Sequence, residues 1–172
     1  MLSAVVVVQE SAGARPVSAE AVERTLSSLV PAAIEGLIRD VTLAASAGRE
    51  GMRKIADHAG CELAEASSGS DLFRRGVEMA RNPRVFVIHA GRAPESGFAE
   101  ELSDFLSSGA RAAVMRETPR HFLTRLAPSL SPVAALVASR DHLLKAAATD
   151  LAGLARHARP ELTLRARARW VE

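Results

Sequence analysis

The chain has 172 residues, 48% hydrophobic and 24% charged, with a formal net charge of +2. That is enough apolar material for the core of one domain, and it excludes both an intrinsically disordered chain and a strongly polycationic one. Cys61 is the only cysteine, so no internal disulfide can form, and a reduced, cytoplasmic setting is expected.

The N-terminal stretch MLSAVVVVQES has no basic leader, and its apolar run is too short for a signal peptide or a membrane span. It reads as a first strand, Ser3 to Val8, followed by a surface loop over Ala12 to Pro16. A long helix is expected from about Ala19 to Ile38, with Val22, Leu26, Leu29, Ile34 and Leu37 forming its inward stripe and Pro31 bending or interrupting it. Val41 to Ala45 reads as a strand. The helix after it, about Glu50 to His58, should end at Gly60 in a left-handed conformation. Cys61 to Ala64 follows as a strand, Asp71 to Arg81 as a helix that stops before Pro83, and Arg84 to His89 as a buried strand.

Ser96 to Leu106 is the next helix, apolar at Phe98, Leu102, Phe105 and Leu106, and Arg111 to Met115 the next strand. Thr118-Pro119 reads as a cap and first position for a helix over Arg120 to Leu126. Ala134 to Ala138 is a further strand, with Ser139 placed to cap a helix over Arg140 to Ala147. A last helix and a strand over Leu162 to Ala166 complete the chain. Strands alternating with amphipathic helices predict an α/β domain around a mostly parallel sheet, whose ligand site lies at the carboxyl ends of the strands.

Several signals admit a plain reading beside a functional one. The turn SAGREGMRK sets Arg49, Arg53 and Lys54 among glycines between a strand and a helix, which suits either a phosphate or a solvated turn; it is not a P-loop. Arg165, Arg167 and Arg169 alternate before Trp170, a row that fits a charge-protected edge strand better than a nucleic-acid track. Lys54 and Lys145 are the only lysines; the arginine bias suits phosphate contacts but also follows from a GC-rich genome. His58, His121, His142 and His157 show no metal-ligand spacing. Cys61 reads as a small buried hydrophobe, and Ser67, Ser68 and Ser70 as a loop capping the next helix rather than a nucleophile.

Four segments, MLSAVVVVQES, TLSSLVPAAIEGLIRDVTLAASAGREG, IADHAGCEL and GVEMARNPRVFVIHAGRAPESGFAEEL, together resemble the nucleotide-sugar-binding half of family 2 glycosyltransferases. The resemblance implies a three-layer α/β/α domain of the GT-A type over residues 1–172, with a nucleotide-sugar-binding half over 1–106 and a shortened acceptor side over 107–172. It also implies nucleotide-binding candidates at Gln9, Glu10, Ala45, Arg49, Glu50, His89 and Arg92.

Against the family pattern, Ala45 stands at the nucleoside-contacting aspartate and Glu50 at the second acid of that loop. Glu10 replaces an asparagine. His89 and Gly91 stand at the two acids of Asp-x-Asp. A hard divalent cation takes oxygen ligands, so no Mg²⁺ or Mn²⁺ site and no cofactor is expected. Asp150 and Glu95 are the candidates for a catalytic base, Asp150 being equally a helix N-cap.

The expectation is therefore a degenerate glycosyltransferase acting as a binding or assembly module. One alternative is a metal-independent transferase in which His89 and Arg92 hold the diphosphate. The other is an arginine-rich nucleic-acid binder, the least favoured. A nucleotide or nucleotide-sugar, a second copy of the chain or a protein partner are the expected partners.

Overall fold

The structure, a computed structural model, describes residues 1–9, 17–67, 69–119, 122–126 and 130–172. Glu10, the loop over Ala12 to Pro16, and Arg120 and His121 lie outside the described residues. Among the described residues, nine strands and eight helices follow one another as β1 (Leu2–Val8), α1 (Ala19–Ser28), α2 (Val30–Ile34), β2 (Ile38–Ser46), α3 (Met52–Ala59), β3 (Glu62–Ala66), α4 (Gly69–Met79), β4 (Arg84–His89), β5 (Arg92–Pro94), α5 (Phe98–Ser108), β6 (Ala113–Arg116), α6 (Phe122–Leu126), β7 (Val133–Ser139), α7 (Arg140–Leu144), α8 (Leu151–Ala158), β8 (Leu162–Thr163) and β9 (Ala168–Trp170). Seven strands form one sheet in the order β3-β2-β1-β4-β7-β6-β8, and β5 pairs with β9 in a second, small sheet. Within the large sheet only β7 runs against its neighbours β4 and β6. The carboxyl ends of β1, β4 and β6 therefore share one pole.

The period of two along β1 explains the layers. Leu2, Ala4, Val6 and Val8 pack with side chains of α1, α2, α3 and α5 on one face. Val5 and Val7 pack with Leu72, Phe73 and Val77 of α4, Leu143 of α7, and Leu151 and Leu154 of α8 on the other. All seven residues of β1 are buried, as expected for a central strand of a parallel sheet. No helix among the described residues is long and apolar enough to cross a membrane.

Where α4 crosses β1 the packing leaves no room for a side chain. A Cβ on Gly76 would lie 2.5 Å from Cγ1 of Val5 and 3.2 Å from Cβ of Ala44. Overpacking costs about 1–3 kcal/mol, while the better helix propensity of alanine returns at most about 1. Gly76→Ala is thus expected to lower the denaturant midpoint, and Gly76→Val to lower it further. An unchanged midpoint for both would mean that α4 lifts off the sheet freely.

At the amino end of the sheet the buried Ser3 hydroxyl donates to Asp40 (2.8 Å) and accepts from the backbone N–H of Asn82 (2.9 Å). Asn82 also donates to Asp40 at 2.6 Å. This network gives Asp40 an architectural role.

The structure corrects the sequence reading at three places. The long first helix is two: α1 stops at Ser28 and α2 restarts around Pro31, because proline has no N–H to donate and its ring crowds the preceding turn. Ile34 is 81% exposed rather than inward, and Ile38 opens β2. The C-terminal strand expected over Leu162 to Ala166 is only Leu162–Thr163 in the large sheet, while the next paired segment, β9, has crossed to β5. Leu164, Ala166 and Ala168 are still buried between exposed or half-buried arginines, so the alternation was real although its pairing partner was not foreseen.

Other expectations match closely. Gly60 ends α3 at φ 66°. Ser139 sits at the N-cap of α7, without a side-chain capping bond. Cys61, by contrast, is half-buried rather than buried and lies one residue before β3; its partial burial raises the thiol pKa.

Candidate functional site

The carboxyl pole is built around the end of β4. The N–H of Ala90 bonds the Val7 carbonyl (2.9 Å), carrying the pairing with β1 one residue past His89. Gly91 then turns the chain at φ 81°. A side chain is strained in that conformation. The Gly91 N–H donates to Oγ1 of the buried Thr25 (2.9 Å), whose hydroxyl in turn donates to the Ala21 carbonyl (2.9 Å), so α1 fixes the turn. Beyond it β5 leaves the large sheet and sets Arg92 directly opposite Trp170 of β9.

Arg92 is not a free cation. Its Nε donates to Oε1 of Glu117 at 2.6 Å, and each of the two side chains is 12% exposed. The Trp170 ring lies against the guanidinium, a cation–π contact. Its Nε1 donates to Oε2 of the same Glu117 at 3.0 Å. One carboxylate thus joins the end of β6 to both strands of the small sheet.

Beside this cluster is a cavity of about 270 Å³, lined among others by Gln9, His89, Arg92, Glu117, Asp150 and Trp170. Phe73 meets the His89 ring edge-on, with centroids 5.9 Å apart. Burial, reinforced by the positive charge of Arg92, lowers the imidazole pKa to about 4. His89 is therefore neutral at physiological pH. Asp150 is the N-cap of α8, its Oδ1 accepting from the Gly153 N–H at 2.6 Å. Gln9 donates to the Thr149 carbonyl at 2.9 Å, which ties the end of β1 to the start of that helix.

Of the candidates named from sequence, the fold brings together Gln9, His89, Arg92 and Asp150. Arg49 lies beside them, donating to the carbonyl of Val17, another cavity residue, at 2.5 Å. Ala45 is fully buried in the sheet and Glu50 is exposed outside the cavity. Glu95 is held elsewhere, accepting from Oγ1 of Thr118 at 2.7 Å.

Sequence reasoning missed Glu117. The signal was present, since an acid directly follows the apolar strand AVMR, and β6 ends at the same pole as β4. From sequence alone, Trp170 marks only the end of the row of alternating arginines.

Among the described residues of this cavity, the side chains on offer are poorly suited to a hard divalent cation. The imidazole is a nitrogen ligand, Gly91 supplies no side chain, both Glu117 oxygens are engaged, and one Asp150 oxygen caps a helix. Among the described residues no three His, Cys, Asp or Glu side chains form a potential metal-binding group. In the lining of this cavity Arg92 is accompanied by the carboxylates of Glu117 and Asp150.

No family model matches the sequence, and no curated protein matches it. Solved structures do match in fold. Glucosyl-3-phosphoglycerate synthase from Mycobacterium tuberculosis, in complex with Mn²⁺, uridine-diphosphate-glucose and phosphoglyceric acid, gives a TM-score of 0.59 at 16% identity, covering 82% of this chain and 57% of that one. The same enzyme with phosphoglyceric acid gives 0.58 at 17%, covering 83% and 58%. A further mycobacterial protein gives 0.57 at 14%, covering 82% and 53%. The chain thus spans a little over half the length of these neighbours. At such identity the likeness is one of fold: a GT-A-like α/β/α architecture with a mostly parallel central sheet.

Proposed function

We propose that this chain is a degenerate family 2 glycosyltransferase domain that does not carry out metal-dependent transfer and acts as a binding or assembly module. The observation that carries the reading is the state of Arg92, the cation best placed to receive a diphosphate. Its charge is already matched by Glu117, and its face is covered by Trp170. A nucleoside diphosphate entering this cavity would have to displace a carboxylate that is largely screened from water, and the neutral His89 adds no charge to help it.

The resemblance in sequence aligns His89 and Gly91 with the two acids of the metal motif, which agrees with the poor fit of the donor set. The likeness in fold to an enzyme solved in complex with Mn²⁺ and uridine-diphosphate-glucose supports descent from a nucleotide-sugar fold. Fold alone does not carry activity across. Phe122, Leu126 and Leu130, which follow Glu117 in the chain, are all exposed large apolar residues. They are the first surface on which to seek a protein partner.

The test is the thermal shift of the purified protein with UDP, GDP, UDP-glucose and GDP-mannose, each with Mn²⁺ and with EDTA. A ligand bound only by the folded state must raise its melting temperature. The expected result is no shift that depends on Mn²⁺ with any of the four. A Mn²⁺-dependent rise would overturn the proposal.

The alternative, metal-independent transfer, draws on the presence of Asp150 and Arg92 in one cavity. It requires EDTA-insensitive turnover of a UDP- or GDP-sugar, and Arg92 would have to exchange Glu117 for the diphosphate.

A further inference from the structure

The surface made by α1, α2 and α3 is apolar where water would favour polar side chains. α2 has the sequence VPAAI, without one polar residue. Ala32 is buried, while Val30, Pro31, Ala33 and Ile34 are exposed, Ile34 at 81%. A surface helix ordinarily turns a polar face outward. Beside this ridge lies a groove of about 440 Å³, between α1 and α2 on one side and α3 on the other. Leu26, Leu29, Val30, Val41, Ile55 and Cys61 give it an apolar lining. Val30 belongs to both, so ridge and groove form one continuous apolar surface, the kind that marks an interaction site.

The two rims of the groove carry opposite charge, and this identifies what covers it. On α1, Glu20 and Glu23 are exposed three residues apart, hence on one side of the helix, and Glu23 lines the groove. Arg24, the cation next to Glu23, faces a different cavity beside Trp170. On α3, Lys54 and His58 are exposed four residues apart, and His58 lines the groove. Lys54 lies within about 40° of His58 around the helix, whereas Asp57 is turned about 100° away. Among the described residues, Glu20, Glu23 and Lys54 make no ion pair within the chain. Such a surface is complementary to itself. A two-fold axis running along the groove sets the acidic rim of each copy opposite the basic rim of the other, both pairs at once.

We propose that this face is the interface of a homodimer. The α2 ridge of each copy packs over the groove of the other, and Glu23 of each copy faces Lys54 of the other. Apolar burial supplies the affinity, and the opposed rims fix the axis and the register. The proposal gives the assembly role a partner and rests on that reading in this respect alone. The groove shares no lining residue with the cavity at Arg92, so the nucleotide test and the test of the dimer fail separately.

The test is analytical ultracentrifugation of the full chain from low to high micromolar concentration, on the wild type and on Ile34→Glu, Glu23→Lys and Lys54→Glu. All three positions are exposed, so each variant is expected to keep the circular dichroism spectrum of the wild type. The wild type is expected to dimerise, and Ile34→Glu to weaken the dimer roughly tenfold or more, because it buries an unpaired charge. Glu23→Lys and Lys54→Glu each set like charges across both rims, and each alone is expected to associate less than the wild type. An equimolar mixture of these two restores opposite charges at both rims and is expected to form heterodimers, a result that pairing within one chain cannot give. Cys61, the only cysteine, reports from inside the groove. Its alkylation should slow as wild-type concentration rises and keep one rate in Ile34→Glu. A wild type that is monomeric throughout the range overturns the proposal. So does a dimer that Ile34→Glu leaves intact, or a mixture of the charge variants no more associated than either alone.

Discussion

Glu117→Ala is expected to cost about 3 kcal/mol of folding stability, the lower part of the range for removing one partner of a buried ion pair. The reason is the uncompensated charge left behind: Arg92 and Glu117 are each 12% exposed and joined at 2.6 Å, and the same carboxylate accepts from Trp170. Glu117→Gln keeps an oxygen that can accept one of these bonds and is expected to lose less. Equilibrium denaturation of both variants measures the effect. A loss under about 0.5 kcal/mol for Glu117→Ala would be the behaviour of a solvent-screened surface pair, and the premise that Arg92 is already spoken for would fall.

The second large effect is a dependence on pH. Unfolded, His89 takes up a proton near pH 6.5; folded, it resists protonation down to about 4 because it is buried and close to Arg92. Between those values the unfolded chain binds more protons, so stability contributed by the neutral imidazole is present above pH 6.5 and lost as pH falls through 4. The full loss is about 3 kcal/mol, from about 1.4 kcal/mol for each pH unit of depression. Carboxylates titrate in the lower part of the same window, so the quantity to measure is the difference between wild type and His89→Gln across pH 7 to about 3.5. Wild-type stability should fall relative to the variant as the solution is acidified. Parallel curves would show that the imidazole is hydrated in the folded state.

The parts of this architecture that were legible in the sequence are those set by neighbours along the chain. Gly60 closing α3, Asp150 capping α8 and the continuous apolar runs of β1 and β4 each follow from local conformational preference and a short period. What escaped is non-local. β5 and β9 are three residues each and far apart in the chain, and no period can declare itself over so few positions. The ion pair of Arg92 with Glu117 depends on that pairing. A row of alternating arginines gave the correct faces for Leu164 to Ala168 but could not say which strand they would meet. The break between α1 and α2 was foreshadowed by Pro31, yet the outward turn of Ile34 was not, since a helical stripe read through a break loses its phase.

The single reversed strand also has a consequence for the order in which the protein assembles. β1, β2, β3 and β4 pair only among themselves until β7 arrives, and all four lie before residue 90. β6 has no such company: its neighbours are β7 and β8, both still to be synthesised when residues 113–116 leave the ribosome. Its apolar side chains, Ala113, Val114 and Met115, must therefore wait for Val133–Ser139 before they enter the sheet. In the interval the nascent chain carries a four-stranded platform whose β4 edge is open and, further along, an unpaired apolar segment. That edge is where a trigger-type chaperone would be most useful and where a stalled chain would be most exposed to mispairing.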